Sequence, residues 1–152
     1  VRKFKYVSFE ELIRTSDFIS LHCPLTEYTK HLINVNTISQ MKKGVMIINT
    51  SRGSLIDSEA LLEGIKSRKI SGACLDVYEE EADYFFEDKS NHILNDDVLR
   101  DLISMPNVIV TSHQAFLTKE ALENIVITTI GNIDGFFNKK PAVNNEVNYV
   151  KE

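Results

Sequence analysis

The sequence predicts an α/β fold: the second half of a doubly wound, Rossmann-like parallel sheet, followed by a long C-terminal helix and a polar tail. Three observations lead there. Short runs rich in β-branched residues alternate with amphipathic segments, the pattern of parallel βαβ units. Cap residues, glycines and prolines fall at the junctions between them. Finally, His22, Arg52, Asp76 and His113 each fall at or just past the carboxyl end of a predicted strand, which is where open α/β sheets bind ligands.

Each element has its own signal. Ser8-Phe9-Glu10-Glu11 has the form of a capping box and starts a helix over about residues 9 to 15. Asp17 to His22 is a strand, which Cys23-Pro24 must leave because proline cannot donate to a central ladder. Asn34 to Met41 is a short helix stopped by Lys42, Lys43 and Gly44. The buried strand Val45 to Asn49 follows, then Thr50-Ser51-Arg52-Gly53, then a helix from Ser58 to Ser67 capped by Asp57, with Leu61, Leu62 and Ile65 on one face. Ile70 to Val77 is the third strand. Residues 83 to 97 have no clear period and are expected as a long excursion, of the kind that compact domains keep for function. Val98 to Ser104 adds a short helix, Val108 to Thr111 a fourth strand, and Thr118 caps a helix to about Asn138 with Leu122, Ile125, Ile130, Ile133 and Phe137 on one broad face.

Composition excludes several classes of function. The chain is 43% hydrophobic and 26% charged, with a net charge of −5 from 17 basic and 22 acidic residues spread along 152 positions. There is no basic patch for nucleic acid, and no apolar run approaches the ~20 residues of a spanning helix. Cys23 and Cys74 lie in apolar strand-like runs and are expected as reduced thiols of a cytoplasmic protein. The four histidines and two cysteines match no paired ligand spacing, so no metal is expected. Ser51 and Ser54 flank Arg52, but there is no G-x-S-x-G elbow for a hydrolase.

Proton transfer combined with anion binding remains. A histidine exchanges protons near neutrality, an adjacent carboxylate stabilises its cationic form and orients it, and an arginine grips a carboxylate through two parallel hydrogen bonds. Arg52, His113 and a glutamate of the run Glu79-Glu80-Glu81 supply the three parts. The alternatives are a structural arginine at a strand end and a solvated acidic turn.

Three ordered motifs weight this choice: Asn49-Thr50-Ser51-Arg52-Gly53-Ser54-Leu55-Ile56-Asp57, Gly72-Ala73-Cys74-Leu75-Asp76-Val77-Tyr78-Glu79, and Pro106-Asn107-Val108-Ile109-Val110-Thr111-Ser112-His113-Gln114-Ala115-Phe116. Together they resemble the D-isomer-specific 2-hydroxyacid dehydrogenases, and Tyr84-Phe85-Phe86-Glu87-Asp88 resembles their D-lactate dehydrogenase branch. The resemblance implies an NAD-dependent, cytoplasmic, homodimeric oxidoreductase acting on a D-2-hydroxy acid, D-lactate first. By it, Arg52 binds and polarises the 2-oxo acid, His113 is the acid/base, and Glu81, five residues after Asp76, pairs with His113. His22, Cys23 and Pro24 border the adenosine and pyrophosphate, with Thr29 nearby, and Thr50, Ser51 and Asp76 face the nicotinamide. The dimer forms through the cofactor domain. Ser112 departs from the proline common in the family.

One family feature is missing. The glycines stand at 44, 53, 64, 72, 131 and 135, so no G-x-G-x-x-G phosphate turn exists in this sequence. The expected organisation is therefore a partial dinucleotide-binding domain over residues 1–138 and, over 139–152, a tail returning to a substrate domain that is absent here. Such a fragment is expected to be inactive alone. Two competing expectations are a non-catalytic, corepressor-like or interaction protein on the same fold, and an inactive truncated remnant.

Overall fold

The structure, a computed structural model, describes residues 4–81, 95–138 and 140. The chain divides into two compact units, Val1–Gln114 and Ala115–Glu152.

The first unit is built on one parallel sheet, β1 (Phe18–Leu21), β2 (Val45–Asn49), β3 (Ile70–Leu75) and β4 (Val108–Val110), in the spatial order β1-β2-β3-β4. Every neighbouring pair is parallel. Among the described residues, four α-helices lie between or before the strands: α1 (Phe9–Thr15), α2 (Val35–Gln40), α3 (Ser58–Lys66) and α4 (Asp97–Ser104). Right-handed crossovers between strands laid down in consecutive order put their helices on one face. The packing agrees, since α1 touches α2, α2 touches α3, and α3 touches both α4 and β3. Ile13, Ile38, Leu61, Ile65, Leu99 and Leu102 of that helical row are buried against Ile19, Leu21, Val45, Ile47, Ile70 and Leu75 of the sheet. The alternation in β1 and β2 leaves Phe18, Ser20, Met46 and Ile48 on the other, less covered face.

Several expectations shift by a residue or two, for local reasons. Ser8 Oγ accepts the Glu11 amide as expected, but the Glu11 carboxylate does not turn back to close the box, because Lys5 Nζ captures it at 3.0 Å. A reciprocal box forms instead at α2, between Asn34 and Thr37. Lys42 and Lys43 lie beyond α2, which ends at Gln40, and Gly44 makes the turn into β2 with a φ of +84°, a conformation open to glycine. β3 and β4 are shorter than expected. The ladder nevertheless continues past them through Asp76 N to Asn49 O (2.9 Å) and Thr111 N to Leu75 O (2.8 Å). Most of the excursion expected over residues 83–97 lies outside the described residues, and its end is not irregular: Asp96 caps α4.

The second unit contains α5 (Lys119–Phe137), capped by Thr118 as expected. Its apolar residues Leu122, Ile125, Ile130, Ile133 and Phe137 are all exposed. None of the helices among the described residues is long and apolar enough to cross a membrane.

The level of β4 against β3 is set by a close backbone approach. A Cβ at Gly72 would lie 2.5 Å from the Asn107 carbonyl oxygen, the same oxygen that accepts the Ala73 amide at 3.1 Å. Gly72→Ala is therefore expected to destabilise the fold by about 1 to 3 kcal/mol through overpacking against backbone. A lowered urea midpoint with an unchanged denaturant slope would show it.

Candidate active site

The carboxyl ends of the four strands carry the expected residues in strand order. After β1, His22 is exposed, with Nε2 2.8 Å from Ser20 Oγ. Thr29 is turned into its own loop, donating to the Pro24 carbonyl (2.7 Å) and accepting the Thr26 amide (2.7 Å), so it shapes the Cys23–Pro24 segment from within. Ser51 Oγ donates to the Cys23 carbonyl at 2.7 Å, lacing the loop after β1 to the loop after β2. Thr50 is exposed beside it. His22, Pro24, Leu25, Ser51 and Arg52 line a cleft of about 430 Å³. Apolar Pro24 and Leu25 beside the donors of His22 and Arg52 suit a ligand with a flat ring and an anionic arm.

The loop after β2 is fixed by Asn49, the buried last residue of the strand. Its Nδ2 donates to the Arg52 carbonyl (2.9 Å) and its Oδ1 accepts the Ser51 amide (3.0 Å), so one side chain satisfies both ends of the turn. Arg52 Nη1 donates to the Ser51 carbonyl at 2.7 Å, and the side chain is exposed. Among the described residues no carboxylate pairs with Arg52. Of the structural alternative for this position, an arginine tied to carbonyls or to an acid, the described residues show the carbonyl tie.

Gly53 follows, and it touches the backbone after β3. A Cβ there would overlap the Tyr78 carbonyl and lie 2.5 Å from Glu79 N. The segment Tyr78–Glu81 is a closed turn, with Glu81 N donating to Tyr78 O (3.3 Å) and Tyr78 N donating to Glu81 Oε2 (3.1 Å). The Tyr78 hydroxyl donates to Asp96 Oδ2 at 2.7 Å, and burial, together with that bond and the negative charge of Asp96, pushes its pKa far above the ordinary tyrosine value. It therefore remains a donor at any physiological pH.

The run of three glutamates is sorted by this turn. Glu81 Oε1 lies 3.0 Å from His113 Nδ1. Glu79 faces the other way, with Oε1 2.5 Å from His31 Nε2 and Oε2 near Ser58 Oγ (3.3 Å). Asp76, 6% exposed, accepts from Thr111 Oγ1 (2.5 Å) and the Gln114 amide (2.9 Å) on Oδ1, and its carbonyl accepts the His113 amide at 2.7 Å. His113 has a φ of +53°. A non-glycine residue in that left-handed region is strained and persists where its surroundings fix it, as Asp76 and Glu81 do here. Ser112 Oγ accepts from Gln114 Nε2 at 3.0 Å.

The arrangement can hold and move a proton. A carboxylate on Nδ1 assigns that nitrogen its hydrogen and leaves proton exchange to Nε2. It also offers an exposed guanidinium on the neighbouring loop for an anion. Among the described residues there is no group of three or more His, Cys, Asp or Glu side chains placed to hold a metal ion. The sequence motifs contain Asn49, Gly53 and Tyr78 but assign them no role, and they offer Glu79 as a candidate partner of His113, not of His31. An asparagine ending an apolar strand and a glycine just after the arginine were the available signals.

Residues 1–115 match the family described as D-isomer specific 2-hydroxyacid dehydrogenase, NAD binding domain. The chain belongs to that family. The D-lactate dehydrogenase of Escherichia coli is 55% identical over 129 residues, which are 85% of this chain and 39% of the relative. The pyruvate reductase of Chlamydomonas reinhardtii superposes with a TM-score of 0.84 at 48% identity, over 90% of this chain and 42% of that one. The Aquifex aeolicus D-lactate dehydrogenase, solved with NAD and lactic acid, superposes with a TM-score of 0.79 at 37% identity, over 90% of this chain and 41% of that one. The chain thus spans about 40% of the length of the dehydrogenases it matches.

Because Gly53 meets backbone rather than a flexible side chain, Gly53→Ala has no rotamer that relieves the overlap. It is expected to cost about 2 to 3 kcal/mol of stability, measured by chemical unfolding. A loss under about 0.5 kcal/mol, the ordinary surface value, would contradict the close approach.

Proposed function

We propose that this chain supplies the acid–base and anion-binding half of an NAD-dependent D-2-hydroxyacid dehydrogenase, with D-lactate and pyruvate as the substrate pair. The observation that carries the reading is the His113 Nδ1–Glu81 Oε1 pair at 3.0 Å, on the same sheet edge as Arg52. The printed names of the relatives, a D-lactate dehydrogenase and a pyruvate reductase among them, support the choice of substrate.

In the direction of reduction, the Arg52 guanidinium holds the substrate carboxylate and draws electron density from the adjacent carbonyl. His113 donates the Nε2 proton to the carbonyl oxygen as it becomes an alcohol, and Glu81 steadies the cationic ring until that transfer. The dinucleotide, when bound, supplies the hydride to the carbonyl carbon. The Nε2 proton goes to the product hydroxyl, and oxidation runs the same transfers backwards. Reduction needs the imidazolium and oxidation the neutral ring, so rising pH favours oxidation. Pro24, Leu25 and His22 form part of the dinucleotide wall, and Thr50, Ser51 and Asp76 belong to its nicotinamide side.

In the full-length polypeptide, His113→Gln is expected to lower kcat by about 10²- to 10⁴-fold, the range for losing a general acid, while unfolding free energy stays within about 1 kcal/mol. Near-normal turnover would sink the assignment. Arg52→Gln is expected to raise KM for pyruvate about tenfold or more by removing charge-assisted bonds, and an unchanged KM would remove Arg52 from the substrate site. The 152-residue chain by itself contains no phosphate-binding turn. It is expected to oxidise no NADH with pyruvate, and turnover by the purified chain would overturn the proposed division of labour.

A further inference from the structure

The loop between β1 and α2 carries a histidine that the proton-transfer chemistry does not use. His31 is held by its own backbone: its amide donates to the Ser54 carbonyl (2.8 Å), its carbonyl accepts from Asn34 Nδ2 (2.8 Å), and its φ is +50°. Asn34 is the residue that caps α2, so this histidine stands on a braced post. Its Nε2 lies 2.5 Å from Glu79 Oε1. An ionised carboxylate can only accept, so Nε2 is the donor.

Glu79 needs that partner. Asp57, Glu59, Glu80 and Asp96 line the same cavity as Glu79 and His31, and like charges at such range push a carboxylate outward. The remaining bonds to Glu79 Oε2 are long, 3.3 Å from Ser58 Oγ and 3.5 Å from Ser58 N. Two residues on in the same closed turn, Glu81 faces His113. Glu79 and Glu81 belong to one turn of four residues, so the side chain of the first bears on the orientation of the last.

We propose that His31 is a positioning residue for the acid–base histidine: through Glu79 it holds the Tyr78–Glu81 turn so that the Glu81 carboxylate stays on His113 Nδ1. The inference rests on the role proposed above for His113 and extends it to the loop after β1, at the other end of the strand order.

The test uses the full-length polypeptide and two readouts. A histidine Nδ1–H donated to a carboxylate gives a far-downfield proton resonance, observable without any turnover. In His31→Ala this resonance of His113 is expected to be lost, and kcat for pyruvate reduction to fall about tenfold, the scale of a small misplacement, with KM for pyruvate held within about twofold because Asn49 fixes the Arg52 loop independently of the turn. His31→Gln, which returns a neutral donor to Glu79, restores both. Persistence of the resonance in His31→Ala, a loss carried by KM alone, or failure of His31→Gln to restore the resonance overturns the proposal. Should His31→Ala not fold, Glu79→Ala cuts the same link from the turn side and is read by the same outcomes. If the unmodified protein turns over no 2-oxo acid, the dehydrogenase reading fails, and the resonance alone still decides whether His31 positions Glu81.

Discussion

The contact on which the site depends is the one where Gly53 meets the backbone of Tyr78 and Glu79. A parallel sheet brings strand ends to one edge but says nothing of how the loops beyond them sit. Here the loop after β2 and the turn after β3 are pressed together with no side chain between them, and only the absence of a Cβ allows it. Asn49 fixes one partner of the contact from below, by bonding both Ser51 and Arg52. Asp96 fixes the other through the Tyr78 hydroxyl. The guanidinium of Arg52 and the carboxylate of Glu81 therefore issue from loops that cannot slide past one another without breaking buried bonds. Relative placement within a few tenths of an ångström is what proton transfer and substrate orientation require, and backbone contact supplies it more rigidly than packed side chains would.

The same turn separates charges. In an extended segment residues i and i+2 would share a face, but the chain here is a closed turn, and it sends Glu79 and Glu81 to different partners. One is paired with His31 and the other with His113. Chemically identical side chains thus acquire different duties from the side of the turn they occupy. His113 has its own constraint: its left-handed backbone is uphill for a residue with a Cβ, by about 1 kcal/mol or more. The bond from its amide to Asp76 and the ring bond to Glu81 offset this, so Asp76 acts on the backbone of the loop whose ring Glu81 holds.

Much of this was legible in the sequence, and the remainder was hidden for identifiable reasons. Elements with local signals fell where expected within a residue or two: Asp57 caps α3, Thr118 caps α5, and the β-branched run makes β2. The convergence of His22, Arg52, Asp76 and His113 on one edge follows from parallel topology alone. Where two local partners compete, the pattern failed, as at Glu11, which prefers Lys5 to its own helix start. Long-range contacts were out of reach. Nothing near Gly53 announces the backbone 25 positions later, and nothing in Glu79-Glu80-Glu81 says which carboxylate meets which histidine. Thr29 is the reverse case: its motif position suggested a ligand, while its hydroxyl is engaged within its own loop.

Electrostatics gives the last constraint. The chain carries a net charge of −5, which by itself repels the small anion the site is proposed to bind. At physiological ionic strength, however, charges more than about 8 Å apart at the surface are largely screened. What an arriving carboxylate meets at the edge is therefore local. Glu79 and Glu81 are each paired with a histidine, and the Asp76 carboxylate is almost fully withdrawn from solvent. Arg52 remains as an exposed cation that no carboxylate among the described residues neutralises. A fold can thus be acidic overall and still present an exposed cation to an anion, with Glu79, Glu81 and Asp76 each engaged by partners of their own. The His31–Glu79 bond does this for the acid two positions before Glu81.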